Sequence, residues 1–199
     1  MGYPSHCPIF GIETMKTWFK KPDKITAIIV AASFAFLPIF GVLCWGLGII
    51  FTDTGSVPVG FYRIVPLGTI QRGDFIAFCL PDSMARLGLR RGYLKTGFCA
   101  GGSDALIKQV IAIPGDHLEV SDEAIRVFHQ GFSWFYGAPT RIFDHQHLPV
   151  HRFIVSGTVI ARGYWVYGAG NPVYSWDSRY YGEISRANIQ HRLVPLWQF

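Results

Sequence analysis

From Ile25 to Phe51 the chain runs for 27 residues without one charged side chain. A helix needs about 20 apolar residues to cross a hydrocarbon core roughly 30 Å thick, so this run is long enough to span a bilayer with some tilt. A secretory signal has an apolar core of only about 7–15 residues, closed by small residues at its cleavage point. Here the run is longer, and Thr52-Asp53-Thr54 follows it. The sequence therefore predicts a short N-terminal segment at residues 1–24, a retained transmembrane helix at 25–51 and a folded domain at 52–199. Pro38 is a candidate kink within the span.

Charge sets the orientation. Lys16, Lys20, Lys21 and Lys24 precede the span, whereas no Lys or Arg follows it until Arg63. The positive-inside rule places the N-terminus in the cytoplasm and the domain on the far side. The formal net charge of +5 is modest and the outer domain has no basic block, which argues against nucleic acid as a partner. In this topology only Cys79 and Cys99 of the four cysteines reach an oxidising exterior. They are the expected disulfide, against the alternative of two buried free thiols.

The domain reads as β structure. Short runs rich in Val, Ile, Phe and Tyr are broken at close intervals by Gly, Pro, Asp and Asn. Strands are predicted at 60–64, 74–79, 106–113, 117–120, 124–129, 158–161, 164–167 and 191–196. Residues 81–102 read as a loop with some helix, and 131–152 as irregular. The expected fold is mainly β, a small antiparallel barrel-like domain on one N-terminal membrane helix.

Three features carry chemistry. Lys108 interrupts Ala-Leu-Ile-Lys-Gln-Val-Ile-Ala-Ile-Pro, and strand alternation puts it on one face with Leu106, Val110 and Ala112. An ammonium on an apolar face loses hydration, which favours its neutral, proton-accepting form. The bland reading is an edge lysine that reaches water or a carboxylate. Ser56 lies in Thr-Gly-Ser-Val-Pro directly after the span, in a turn that Gly55 and Pro58 constrain. A serine so placed is a nucleophile candidate, although most such serines only shape turns. In Ser175-Trp-Asp-Ser-Arg, Asp177 and Arg179 face the same way if the segment is extended, either as a support for the lysine or as a surface ion pair.

In order, the motifs are Gly55-Ser56-x-Pro58 after a span, Gly73-Asp74-Phe75-Ile76-Ala77-Phe78, then Ile107-Lys108-Gln109-Val110-Ile111-Ala112-Ile113-Pro114-Gly115-Asp116, then Ser175-Trp-Asp-Ser-Arg-Tyr-Tyr-Gly. Together they resemble the type I signal peptidases, and most of all their conjugative-transfer branch, the TraF-type peptidases that mature pilin subunits. The stretch Ser-Val-Pro-Val-Gly-Phe-Tyr and the Cys79…Arg91-Gly92-Tyr93-Leu94…Cys99 segment suggest that branch.

The resemblance implies a serine endopeptidase with Ser56 as nucleophile and Lys108 as general base. It implies an oxyanion hole from the Thr54 hydroxyl and the Ser56 N–H, Ser175 as the group that orients the lysine, and Asp177 with Arg179 as a supporting pair. It also implies a membrane-inserted, pilin-like precursor as substrate, association with a conjugative transfer apparatus, and no cofactor or metal. The histidines His145, His147 and His151 cluster in sequence but lack a ligand register, and read as solvated loop residues. Two positions depart from the general family: Val57 replaces the usual Met, and Gly170 replaces the usual Asp before Asn171. Two rivals are a general signal peptidase that removes export signals and a non-catalytic membrane-tethered β module. The residues leave hydrolysis and cyclisation of the substrate equally open.

Overall fold

The computed structural model describes residues 23–137, 139–153 and 156–199. It divides at residues 43 and 44 into an N-terminal unit and a compact β unit. The N-terminal unit is built on helix α1 (Lys24–Gly46), whose first turn is capped by Asp23, its Oδ1 accepting the Thr26 N–H at 2.8 Å. α1 is long and apolar enough to cross a membrane.

The helix stops at Gly46, short of the predicted end at Phe51. Gly48 takes a left-handed φ of 68°, and the β-branched and aromatic residues after it form strand β1 (Ile49–Thr52). An apolar run with no polar punctuation hides this change from helix to strand. The predicted segment 1–24 lies almost wholly outside the described residues.

β1 pairs antiparallel with β2 (Gly60–Val65), with Thr52 opposite Gly60. The domain continues through β3 (Phe75–Phe78), helix α2 (Asp82–Arg90), β4 (Leu106–Ala112), β5 (His117–Val120), β6 (Ala124–His129) and β7 (Phe132–Gly137). It ends with β8 (Gly157–Ile160), β9 (Trp165–Tyr167), the short helix α3 (Ser178–Tyr181) and β10 (Ile189–Gln198). All pairings are antiparallel. One sheet has the order β1-β2-β10-β3-β4-β9 and the other β7-β6-β5-β8. β10 holds the larger sheet together from between β2 and β3, and tolerates Pro195 because a bulge lies between Pro195 and Trp197.

β3 lies between β10 and β4 and is buried along its whole length, which its sequence Phe-Ile-Ala-Phe allows. Ile76 and Phe78 pack with Val110, Val166 and Ile189 in one core. A second core forms around Trp165, Leu118, Ile125 and Val127. The irregular reading of 131–152 is corrected in its first part, where β7 pairs with β6 from Ala124–Gly137 to His129–Phe132. Its side chains are mostly exposed, so the alternation that marks a half-buried strand is missing from the sequence.

Lys108 stands opposite Ile76 in β4. Leu106 and Val110 pack with the first core, as the alternation predicts. Ala112 does not, because a bulge between Val110 and Ala112 turns both Ile111 and Ala112 into the second core.

Candidate active site

The turn between β1 and β2 carries Ser56. Gly55 has a φ of 67°, a conformation other residues adopt only at a cost, and Pro58 holds the exit of the turn. The buried Tyr62 donates its hydroxyl to the Pro58 carbonyl at 2.7 Å and fixes the turn from beneath. Val57 is fully buried against Tyr62, Phe75 and Leu193. Its departure from the family's Met therefore bears on core packing, while Ser56 beside it remains half-exposed.

Lys108 is 2% exposed. Its Nζ lies 2.7 Å from Ser56 Oγ and 2.7 Å from Ser175 Oγ. Burial pulls the ammonium down to about 8, with the Asp177 carboxylate working against that shift and Arg179 adding to it. At pH 7 about a tenth of such a lysine is neutral, roughly 300 times the fraction of an unperturbed one. A neutral amine at hydrogen-bond distance from a serine hydroxyl can accept its proton.

Ser175 reaches this point because the loop around it is tightly held. Asp177 and Arg179 are both buried, and they form a bidentate pair, Nε to Oδ1 at 2.8 Å and Nη2 to Oδ2 at 2.9 Å. Asp177 also accepts the Gly168 N–H at 3.1 Å and the Arg179 N–H at 3.2 Å. Arg179 donates to the Pro172 carbonyl at 2.5 Å and to the Ser175 carbonyl at 3.3 Å. The pair thus staples both sides of the loop rather than lying on the surface.

Two glycines set how closely this loop approaches. A Cβ on Gly168 would come within 2.0 Å of Ser175 Oγ, and one on Gly170 within 2.6 Å of the Val57 carbonyl and 2.8 Å of the Gly55 carbonyl. The Gly170 N–H instead donates to the Ser56 carbonyl at 3.3 Å. The loop supports the nucleophile turn through its backbone, where an Asp side chain would not fit.

These groups open into a cleft of about 370 Å³, lined among others by Thr54, Ser56, Lys108, Ser175, Tyr93, Asp144 and Arg141. Thr54 Oγ1 lies 3.4 Å from Thr52 Oγ1. The family profile of signal peptidase, peptidase S26, matches residues 23–197. The chain belongs to the S26 signal peptidase family.

It is a member of a serine peptidase family. The plasmid transfer protein TraF of Escherichia coli is 29% identical over 148 residues, 72% of this chain and 79% of that one. A probable conjugal transfer protein TraF of Sinorhizobium fredii is 36% identical over 138 residues, 68% of this chain and 70% of that one. A signal peptidase I structure from Enterococcus faecalis aligns over 65% of this chain and all of its own, at 20% identity and a TM-score of 0.36.

This S26 peptidase brings Thr54, Ser56, Lys108 and Ser175 to one cleft, with Asp177 and Arg179 behind it. Cys79 and Cys99 are joined, with Cα atoms 5.6 Å apart, and their bridge closes the segment that carries α2. The sequence gives no sign of the opposite wall. There Asp144 accepts from Arg91 Nη1 at 2.7 Å and from the Tyr93 hydroxyl at 2.6 Å, and its other oxygen takes the Gln146 and Leu148 N–H groups at 2.8 and 2.9 Å. Burial alone would raise this carboxyl, but the bonds from Tyr93, Leu148, Arg91 and Gln146 outweigh it and hold it below the usual range. Arg91 and Tyr93 are thus tied to a loop some fifty residues away. His145, His147 and His151 are exposed, and among the described residues no group of three or more His, Cys, Asp or Glu side chains gathers as a metal site.

Proposed function

We propose that this S26 peptidase processes a membrane-inserted, pilin-type precursor in conjugative transfer, with Ser56 as nucleophile and Lys108 as general base. The observation that carries the reading is the pair of 2.7 Å contacts from Lys108 Nζ to Ser56 and Ser175, in a site where burial favours the neutral amine. Neutral Lys108 takes the Ser56 proton as Oγ attacks the scissile carbonyl. The resulting oxyanion is held by the Ser56 N–H and the Thr54 hydroxyl, and losing one such donor typically costs about 10²–10³ in rate. The lysinium then gives its proton to the departing amine, leaving an acyl-enzyme. Water, or an amine of the substrate itself, attacks that ester with Lys108 again as base, and Ser56 regains its proton. Ser175 is a positioning residue that accepts a hydrogen bond from the amine, and Asp177 with Arg179 keeps Ser175 in place.

The lysines before α1 and their absence just after it support an inner-membrane location with the N-terminus in the cytoplasm and the catalytic domain in the periplasm. The similarity to TraF proteins supports the transfer role over general export. The test is processing in membranes by wild type, Ser56→Ala and Lys108→Ala, with a pilin-type precursor and a general export precursor side by side. Both variants are expected to insert and fold yet lose cleavage by at least about 10⁴-fold. Cleavage at the wild-type rate by either variant rejects the dyad, and preference for the export precursor rejects the transfer role.

A further inference from the structure

We propose that Arg141 determines specificity by reading a carboxylate on the substrate close to the scissile bond, an inference that rests on the peptidase reading above. Of the charged side chains that line the cleft, two are already committed. Lys108 is pressed between two serine hydroxyls, and all the oxygen lone pairs that Asp144 turns inward meet Arg91, Tyr93 or backbone N–H groups.

Arg141 is different. Its guanidinium carbon sits over the Tyr174 ring, 4.3 Å from the centroid, and its backbone N–H donates to the Tyr180 hydroxyl at 3.0 Å. Among the described residues no Asp or Glu lies within ion-pair distance of it. Tyr174 directly precedes Ser175, so the stacked guanidinium belongs to the same loop edge that orients the lysine. Stacking on a ring occupies the face of the guanidinium and leaves its N–H edge, the fork that matches a carboxylate bidentately. It also removes much of the side-chain freedom that binding would otherwise cost. A cleft with a satisfied acid, a largely desolvated lysine and one arginine without an acidic partner has a positive bias that attracts an anionic group. On a peptide substrate that group is an acidic side chain or a chain-terminal carboxylate.

The experiment uses the full chain in detergent with fluorescence-quenched peptides that carry small residues around the scissile bond. Asp or Glu is placed at successive positions on either side and compared with Asn or Gln, and each peptide is made with a free and an amidated C-terminus. Wild type is expected to cleave a carboxylate-bearing peptide with kcat/KM about ten- to a hundredfold above its amide partner. A preference that follows an internal position identifies a side chain, and one that follows the free C-terminus identifies the chain end. Arg141→Ala is expected to cleave both members of the pair at equal rates, and Arg141→Lys to give a smaller ratio. Arg141→Glu is expected to favour a Lys-bearing peptide, with melting temperatures confirming that each variant is folded. Equal cleavage of the pair by wild type, or an undiminished ratio in Arg141→Ala, overturns the proposal. If wild type cleaves no peptide and no membrane-bound precursor, the peptidase reading itself fails and the role of Arg141 falls with it.

Discussion

Lys108 and Asp116 are buried charged side chains only eight positions apart, one in β4 and the other in the turn that leads to β5. Asp116 is met by side-chain partners from two directions: Arg72 binds it through two nitrogens, one at 2.7 Å, and His129 Nδ1 lies 2.8 Å away. The Ile113 N–H supplies a further bond at 2.9 Å. Because Arg72 precedes β3 and His129 ends β6, this carboxylate bolts the larger sheet to the smaller. Lys108 donates to two neutral hydroxyls, and Asp177, the carboxylate whose charge acts on it, is already held by Arg179. Taking an ion out of water costs several kcal/mol unless close partners offset it. Asp116 has those partners. Lys108 lacks them and is driven toward the neutral form in which it can act as a base. The same burial makes a rivet at one end of this stretch and a reagent at the other.

The contrast can be broken by substitutions with opposite effects. Asp116→Asn keeps the shape but leaves Arg72 and His129 facing a neutral amide. It is expected to cost about 3 kcal/mol in denaturant unfolding of the domain, with kcat little changed. Should it cost nothing, the bolt is decorative.

Lys108→Met is expected to do the reverse and stabilise the domain at pH 7 while abolishing cleavage. The sign follows from linkage. The folded lysine titrates near 8 and the unfolded one near 10.5, so the unfolded chain binds more protons between these values and wild-type stability rises with pH across that window. Below pH 8 the full penalty applies, about 3 kcal/mol for a shift of this size. The gain in Lys108→Met is therefore expected to shrink as the pH approaches 10.5, and a gain independent of pH would trace to packing instead.

A third measurement sharpens the catalytic side. Wild-type kcat/KM on a neutral peptide is expected to rise about tenfold per pH unit and level off near pH 8, as the free enzyme's base loses its proton. A plateau that begins below pH 7, or a rise that continues past pH 9, would assign the base elsewhere.

The lysine's half of this contrast is legible in the sequence, whereas the partners of Asp116 are not. A single lysine in an otherwise apolar run is a local anomaly, and turn residues bound the runs of β5 and β6 closely enough for their ends to be read to the residue. What stayed hidden depends on distant partners or on breaks in period. β1 merges with the apolar run because nothing polar separates it from α1. β7 carries too many exposed aromatic residues to look half-buried. The bulge after Val110 moves Ala112 to a face that strict alternation denies it. The wall built from Arg91, Tyr93 and Asp144 joins segments about fifty positions apart, and neither segment alone carries a sign of the other. Arg141 is likewise an unremarked loop arginine until Tyr174 is folded beneath it.

The close approach at Gly170 bears on how such a chain can change over generations. The exposed Val173 is free to vary as far as packing is concerned, whereas Gly170 is sterically coupled to the backbone of Gly55 and Val57. An Asp at position 170 would collide with the backbone beside Ser56 unless the 53–59 turn shifted at the same time. Replacing Gly170 would thus require a concerted change at two separated segments, with a crowded intermediate between them. The contact at position 170 is thus held by geometry, independently of what the site cleaves.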